Sequence, residues 1–420
     1  MKKKNILVLS TLDERGKGHG WSHAQNFKSL GHNVQFLCLL RTQKDTPKGD
    51  CIIDSLAAFD LKYILYKLWK TFEHFIFAPF PSARGRYKGV DFASYKDILK
   101  RLRFNPDYVI VCTFQQFLSP RSLFWLYKYT NATFVFVMCD EKILGGGCPY
   151  PMLGCKQYNS GCNDCPYYPY AKWIPRRIYR EKVHYFNKFQ FHLMGVRYDL
   201  EKARQVPFLK EKQMHPGVEN PSIPFFLTKD EARRKLNVPI DHFVIMCGAV
   251  NVNDWKKGFK ELVASLKIFA DEISVSRSVT LIVLSKTANN FELPNSINIR
   301  NMGFLDLEGL FSAYYACDVY VSPSIMDSGP MMVNYSLACG RPVIAFPVGV
   351  AIDLVVHKKT GWLAEFQNIA DYAKGLDYFY HRTEEELVEI EQKCKKHIIE
   401  CSQSYLDDEL RQLFAEPVSE

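Results

Sequence analysis

Two series of short, continuously apolar runs, each run followed by an amphipathic stretch, restrict this chain to a narrow set of folds. In the first half the runs are Asn5–Ser10, Asn33–Leu40, Asp107–Cys112 and Ala132–Met138, with helical patterns at Ser22–Leu30 and near Arg121–Tyr129. A strand that is apolar at every position is buried on both faces, and such strands joined by helices form a parallel sheet covered on both sides. A second series follows the turn-rich HPGVENPSIP at residues 215–224. It opens with Thr228 and Glu231 at capping-box spacing. Strands are then predicted at Phe243–Cys247, Val279–Leu284, near Ile297–Met302 and at Val319–Ser322, with helices at Gly258–Phe269 and Leu307–Ala316. Because large α/β units run to roughly 200 residues, the 420 residues hold two of them. The expected fold class is α/β, with two doubly wound Rossmann-like lobes facing across a cleft. Ligands would bind beyond the carboxyl ends of the strands. The expected division is 1–212, with a cysteine-rich insert at 145–170, then 213–395, and a helical tail at 396–420 packing back on the first lobe.

The amino-terminal MKKKNILVLS has an apolar run of only about six residues, short for a signal peptide. No stretch approaches the roughly 20 apolar residues that cross a bilayer. A cytoplasmic protein is expected, with peripheral attachment to the inner face of the cytoplasmic membrane also permitted. Thirteen cysteines are an odd number, and Cys38, Cys112, Cys247, Cys317 and Cys339 sit inside apolar runs, as reduced, buried thiols do. The net charge of +9 is spread along the chain. It admits phosphate-bearing partners or an anionic surface, but without a basic stripe or recognition helix it argues against nucleic acid.

The segment DSGPMMVNYSLACGRPVIAF at residues 327–346 predicts a site. Strand Val319–Ser322 ends at Pro323, Gly329-Pro330 prepares a helix start, Met331–Cys339 is the helix, Gly340 ends it, and Val343–Phe346 is the next strand. A helix starting at the carboxyl end of a parallel strand offers unpaired amides and its positive dipole end, which suit a phosphate or diphosphate.

With these residues in view, the chain resembles the retaining family-4 glycosyltransferases of the GT-B fold. The resemblance rests on PS-x-x-D-x-G-P, ACG-R-PV, Gly349 and TGWLA at Thr360–Ala364, and on GFLD at Gly303–Asp306 and YYACDVYVSPS at Tyr314–Ser324. WKKGF at Trp255–Phe259 and HPGVEN at His215–Asn220 extend it over nearly all of residues 213–380. It implies an acceptor-side first lobe and a nucleotide-sugar donor lobe. In the donor lobe Ser328, Gly329, Pro330 and Met331 at the helix start, with Lys256 and Lys257, would hold the diphosphate. Asp327 would contact the sugar as a catalytic residue, and Tyr335 falls where a second acid usually holds the ribose. A tyrosine hydroxyl can still bond a ribose hydroxyl, though not as a bidentate carboxylate does. Ala249 stands where an arginine is usual.

GGGCPYPMLGCKQYNSGCNDC at residues 145–165 spaces Cys148, Cys155, Cys162 and Cys165 as C-x6-C-x6-C-x2-C. The closing C-x2-C pair is typical of zinc, so a structural zinc is one expectation; reduced free thiols, a disulfide and an iron–sulfur cluster are the alternatives. The segment also resembles a cysteine-cluster subset of the same family from bacterial polysaccharide gene clusters. There Asp140 matches an aspartate lining the acceptor side, and Cys139 replaces a histidine that lies near the reacting sugar in those relatives. No catalytic metal is implied.

Glycines 16, 18 and 20 precede the first helix and allow close approach of backbone to ligand, and the resemblance places Gly18 near the donor phosphates. His19 and His23 are candidate general bases or solvent-facing polar residues. Residues 56–78, LAAFDLKYILYKLWKTFEHFIFA, suit a helix at a membrane surface beside a lipid-linked acceptor. They equally suit a helix packed on the lobe with its lysines snorkelling outward. The leading functional expectation is a glycosyltransferase moving a sugar from a nucleotide diphosphate sugar to a cell-surface polysaccharide or lipid-linked oligosaccharide, with retained configuration. The alternative, suggested by the departures at Cys139, Ala249 and Tyr335, is a glycosyltransferase-fold binding or scaffolding subunit.

Overall fold

The structure, a computed structural model, describes residues 3–12, 19–57, 59–77, 87–219, 221, 223–272, 277–287 and 292–403. Its described residues fall into two compact units. One takes in those up to Gly195 together with Asp199–His215, and the other Val196–Tyr198 and those from Pro216 onward.

The first unit runs β1 (Asn5–Leu12), α1 (His19–Ser29), β2 (Asn33–Arg41), β3 (Cys51–Asp54), α2 (Leu61–Ile76), α3 (Tyr95–Leu99), β4 (Tyr108–Val111), α4 (Pro120–Thr130) and β5 (Thr133–Val137). It continues through α5 (Trp173–Phe186) and β6 (His192–Gly195), and α6 (Arg197–Ala203) leads on to β7 (Gln213–Pro216). Its seven-stranded sheet has the order β3-β2-β1-β4-β5-β6-β7. Every strand of β1, β4 and β5 in contact with a neighbour pairs in parallel, for example Val8 opposite Ile110 and Ile110 opposite Val135. The strands are buried on both faces, as their uninterrupted apolar runs require. The four-residue strands β3, β6 and β7 are too short to show a period and were not expected.

The second unit runs α7 (Lys229–Lys235), β8 (Phe243–Gly248), α8 (Phe259–Glu272), β9 (Val279–Leu284), β10 (Ile297–Gly303), α9 (Leu307–Ala316), β11 (Val319–Ser322), α10 (Met331–Ala338), β12 (Val343–Ala345), α11 (Ala351–Leu354), β13 (Gly361–Leu363), α12 (Ile369–Tyr380) and α13 (Glu384–Gln403). Its six-stranded sheet, β10-β9-β8-β11-β12-β13, is also parallel. The expected capping box forms: Thr228 Oγ1 accepts from Glu231 N–H, and the Glu231 carboxylate accepts from Thr228 N–H at 2.9 Å. Residue 396 lies inside the continuous helix α13, whose Ile398 is buried in this unit's core, and residues 404–420 fall outside the described part.

Both sheets reverse their strand order once, between β1 and β4 and between β8 and β11. In open parallel sheets that reversal separates the loops at the carboxyl ends and leaves room for a ligand. Candidate sites belong at these two places.

Candidate functional site

In the second unit the loops after β8 and β11 are fastened together by backbone. Ile325 and Met326 N–H both point to the Lys256 carbonyl, at 2.9 and 3.3 Å. The turn Trp255–Lys257 ends on Gly258 at φ +67°, and a Cβ there would stand 1.8 Å from the Pro323 carbonyl oxygen. Only glycine fits that combination of left-handed backbone and close approach. Gly349, at φ +58°, closes the other side, with a hypothetical Cβ 2.2 Å from the Ser328 carbonyl oxygen.

This clamp brings Lys257 to Asp327. Lys257 Nζ lies 2.5 Å from Asp327 Oδ2, and Ser328 N–H donates to Asp327 Oδ1 at 3.0 Å. Asp327 is buried whereas the lysine side chain stays about one-third exposed, so the cation remains open to a ligand. Lys256 turns away to Asp254, at 3.1 Å. The hydroxyl of Ser328, itself buried, has no hydrogen-bond partner.

Helix α10 begins where the sequence predicts. Pro330 occupies the N-cap position, and no side chain caps the helix. Its first-turn Met332 overlies the end of β8, where a Cβ on Gly248 would come within 2.8 Å of Met332 Cε. Ala249, next along, has its amide bonded to the Leu284 carbonyl at 2.9 Å. The helix start, Lys257, Asp327 and Ser328 thus share the carboxyl end of the switch point between β8 and β11. Tyr335 lies deeper, its ring edge-to-face with Phe311 at 5.4 Å and 6.3 Å from Tyr314. It serves as half-buried packing between α9 and α10, and burial followed by the nearby Glu219 carboxylate pushes its hydroxyl above the ordinary tyrosine pKa.

The first unit holds a cavity of about 450 Å³ at its own switch point. Ser10, Thr11 and Leu12 line it from β1, with Gly20 from α1, Cys112, Thr113, Gln115 and Gln116 after β4, and Cys139 and Lys142 after β5. Tyr66 and Lys70 of α2, with Tyr87, complete the lining. Gly20 lets α1 start against β1, since a Cβ there would stand 2.8 Å from Ser10 Cβ. Gly16 and Gly18 lie outside the described residues, as does the side chain of His19. His23 is buried on α1 rather than facing solvent. Asp140 caps the turn Glu141–Ile143 through Lys142 N–H, at 2.9 Å, and pairs with Lys142 Nζ at 2.6 Å. It lines a small cavity of about 20 Å³ that shares Thr113, Gln115 and Lys142 with the larger one. Sequence reasoning missed Thr113, Gln115 and Gln116, although a polar cluster directly after an apolar strand was the available signal.

Tyr87 donates to Asp91 at 2.5 Å, while Asp91 Oδ1 is buried without a hydrogen-bond partner. Burial, with Glu181 nearby, raises the Asp91 pKa to about 7 against the opposing Tyr87, Gln116 and Arg177. Because the folded value lies above the unfolded one near 3.8, this carboxyl's contribution to stability is full below about pH 4 and is lost as pH rises through 7. Asp91→Asn should therefore gain on the wild type by ~2 kcal/mol between pH 5 and pH 8 in urea unfolding; equal pH profiles would refute this.

None of the thirteen cysteines is in a disulfide. Cys148, Cys155, Cys162 and Cys165 line one cavity of about 10 Å³, but among the described residues no three His, Cys, Asp or Glu side chains are grouped as a metal-ligand set. The expected structural zinc is therefore not supported by a ligand set among the described residues. Cys162 accepts instead from Gly146 N–H at 3.1 Å, and burial pushes its thiol up to about 11, which disfavours a thiolate. The cation that ties this loop is the wholly buried ammonium of Lys182, bonded to the carbonyls of Lys142 and Gly145 and drawn toward Cys162 and Cys148.

Residues 241–382 match the family model described as "Glycosyl transferases group 1". A 182-residue stretch is 30% identical to a D-inositol 3-phosphate glycosyltransferase of Streptosporangium roseum, covering 40% of this chain and 41% of that one. A 103-residue stretch is 31% identical to an uncharacterized glycosyltransferase of Haemophilus influenzae, covering 24% of this chain and 28% of that one. The matches thus span less than half of these relatives. Among solved structures, the sucrose-phosphate synthase of Thermosynechococcus elongatus superposes with a TM-score of 0.64 at 14% identity, covering 98% of this chain and 100% of that one. Anabaena HepE in complex with UDP-glucose does so at 0.52 and 14%, covering 98% and 99%. At such identities the structural likeness establishes the fold alone. Residues 241–382 are thus similar to the glycosyl transferases group 1 family, in a chain whose fold is that of the GT-B glycosyltransferases.

Proposed function

We propose that the protein is a glycosyltransferase taking its sugar from a nucleotide diphosphate sugar and passing it, with retained configuration, to a polysaccharide or lipid-linked oligosaccharide. The observation that carries this is the uncapped start of α10 beside the partly exposed Lys257 ammonium, held on Asp327, and the unpartnered Ser328 hydroxyl, all at one switch point. Amides, an ammonium and a hydroxyl converging at a helix start suit a diphosphate. In the reaction the anomeric C–O bond to the diphosphate breaks, the bond pair leaves with the diphosphate, and the acceptor hydroxyl forms the new bond as its proton passes to the departing diphosphate oxygen. Lys257 and the helix start take up the developing charge, which is where such a site lowers the barrier most. Asp327 holds Lys257 in place and faces the sugar. HepE, solved with UDP and with UDP-glucose, makes a uridine donor the first to test.

A second reading, binding without turnover, is favoured by Tyr335, whose ring packs against Phe311 where a ribose-binding acid is usual. Calorimetry with a panel of nucleotide sugars tests the first step: micromolar to millimolar binding of at least one, weakened at least tenfold in Ser328→Ala, is expected. Absence of binding by every donor at millimolar concentration would overturn both readings, and binding without release of nucleoside diphosphate would favour the second.

A further inference from the structure

Helix α2 is built inside out. Its apolar residues Leu61, Leu65, Leu68, Phe72 and Phe75 recur at steps of four and three, forming one continuous stripe. That stripe faces outward: Leu65 is 53% exposed, Leu68 61%, Phe72 55% and Phe75 72%. Phe59 and Ile76 extend it at either end. The inward face carries Tyr63, Tyr66, Lys70 and Glu73 instead. Tyr66 stacks edge-on against Phe92 at 5.0 Å, and the buried Glu73 pairs with Lys70 and Lys88, each at 3.2 Å. A helix that only covered the sheet would turn its leucines to the core, because each fully buried leucine is worth roughly 2 kcal/mol over an exposed one.

We infer that α2 seats the first unit on an anionic lipid surface. Charge complementarity selects this occupant. Glu73 is the only acid within Leu61–Ile76, and its charge is buried between two lysines. Beside the stripe, Lys67 is exposed, and Lys62 and Lys70 keep side chains 42% and 35% exposed although they pair with Asp97 and Glu73; Arg84 and Arg86 follow in the sequence. A stripe of leucine and phenylalanine flanked by cations is what lies flat in a headgroup region. No described helix is long and apolar enough to cross a membrane, so attachment is in the plane of the interface.

The same helix reaches the 450 Å³ cavity through Tyr66 and Lys70, so lipid taking up Leu68 and Phe72 lies only about one helix diameter, ~10 Å, from the cavity lining. Resting on the glycosyltransferase reading, this makes the acceptor membrane-borne, its saccharide entering the cavity while its lipid stays in the leaflet.

Flotation of the full chain with phosphatidylcholine vesicles containing phosphatidylglycerol, against phosphatidylcholine alone, tests the inference. The wild type is expected to float with the anionic vesicles, at least tenfold less with neutral ones, and to lose flotation in Leu68→Asp/Phe72→Asp with its melting temperature and nucleotide-sugar binding unchanged. Three results would each overturn it: no flotation of the wild type, unaltered flotation of the double variant, or a solution dimer that the double variant dissolves. Donor binding is read separately by calorimetry, so a failure of the glycosyltransferase reading and a failure of membrane docking are told apart.

Discussion

Lys257→Ala should lower kcat/KM for nucleoside diphosphate release by 10²–10³-fold, the typical cost of removing one charge-stabilising donor from a preorganised site. Lys257 is held on Asp327, in the loop that leads into α10, whereas its neighbour Lys256 is tied to Asp254. Lys256→Ala is therefore expected to cost less than tenfold. The substitution at 257 strands the buried Asp327 carboxylate, which keeps its bond from Ser328 N–H, and some loss of melting temperature follows from that alone. The control is Asp327→Asn, which also breaks the ion pair but leaves the cation. If the pair were only structural, both variants would lose stability and activity in proportion. If Lys257 takes up leaving-group charge, it alone will weaken nucleoside diphosphate binding strongly, and comparable affinities in the two variants would sink the assignment.

Asp318→Ala should destabilise the protein by about 3–5 kcal/mol, the usual cost of breaking a buried pair from one side. Asp318 is wholly buried at the entrance to β11. Its Oδ2 accepts from Arg233 Nη2 at 2.8 Å and from Val244 N–H at 2.7 Å, and Lys229 Nζ stands 2.9 Å from Oδ1. Arg233, 1% exposed, also donates to the carbonyls of Ala316 and His242. Burial alone would raise the carboxyl's pKa, but Lys229, Arg233, the Val244 amide and Arg277 outweigh it and leave the value lowered. With the folded value below the unfolded one, this group's stabilisation is present above the unfolded value and is lost as pH falls through the folded one. Urea unfolding at neutral pH is the measurement. An Asp318→Leu/Arg233→Met pair should recover much of the loss, because the wholly buried guanidinium leaves with its carboxylate while Lys229 keeps Glu384 and Arg277 is partly exposed; a loss under 1 kcal/mol in the single variant would refute the strut.

Much of the site's scaffold was legible because its signals are local. Pro330 and Gly340 bracket α10 within one or two residues of the expected ends, since a ring that fixes φ and a residue free to take φ +79° act through their own backbone. The Thr228–Glu231 box and the uniformly apolar strands act over a few residues as well. Lys256 and Lys257 could not be told apart in the same way. Adjacent in sequence, they diverge because Asp254 lies two residues from one and Asp327, seventy residues on, meets the other.

The residues alone therefore established the α/β class, both strand series and the position of the α10 start, because hydrophobic period and backbone restriction operate within a turn or a strand. Tertiary structure decided the rest. It packed Tyr335 between α9 and α10, bonded the buried Lys182 to the carbonyls of Lys142 and Gly145 at the start of the cysteine loop, and turned the leucines of α2 outward. Each of these depends on which distant side chain arrives to share a dielectric, a charge or a surface, and that is fixed only when the sheets assemble.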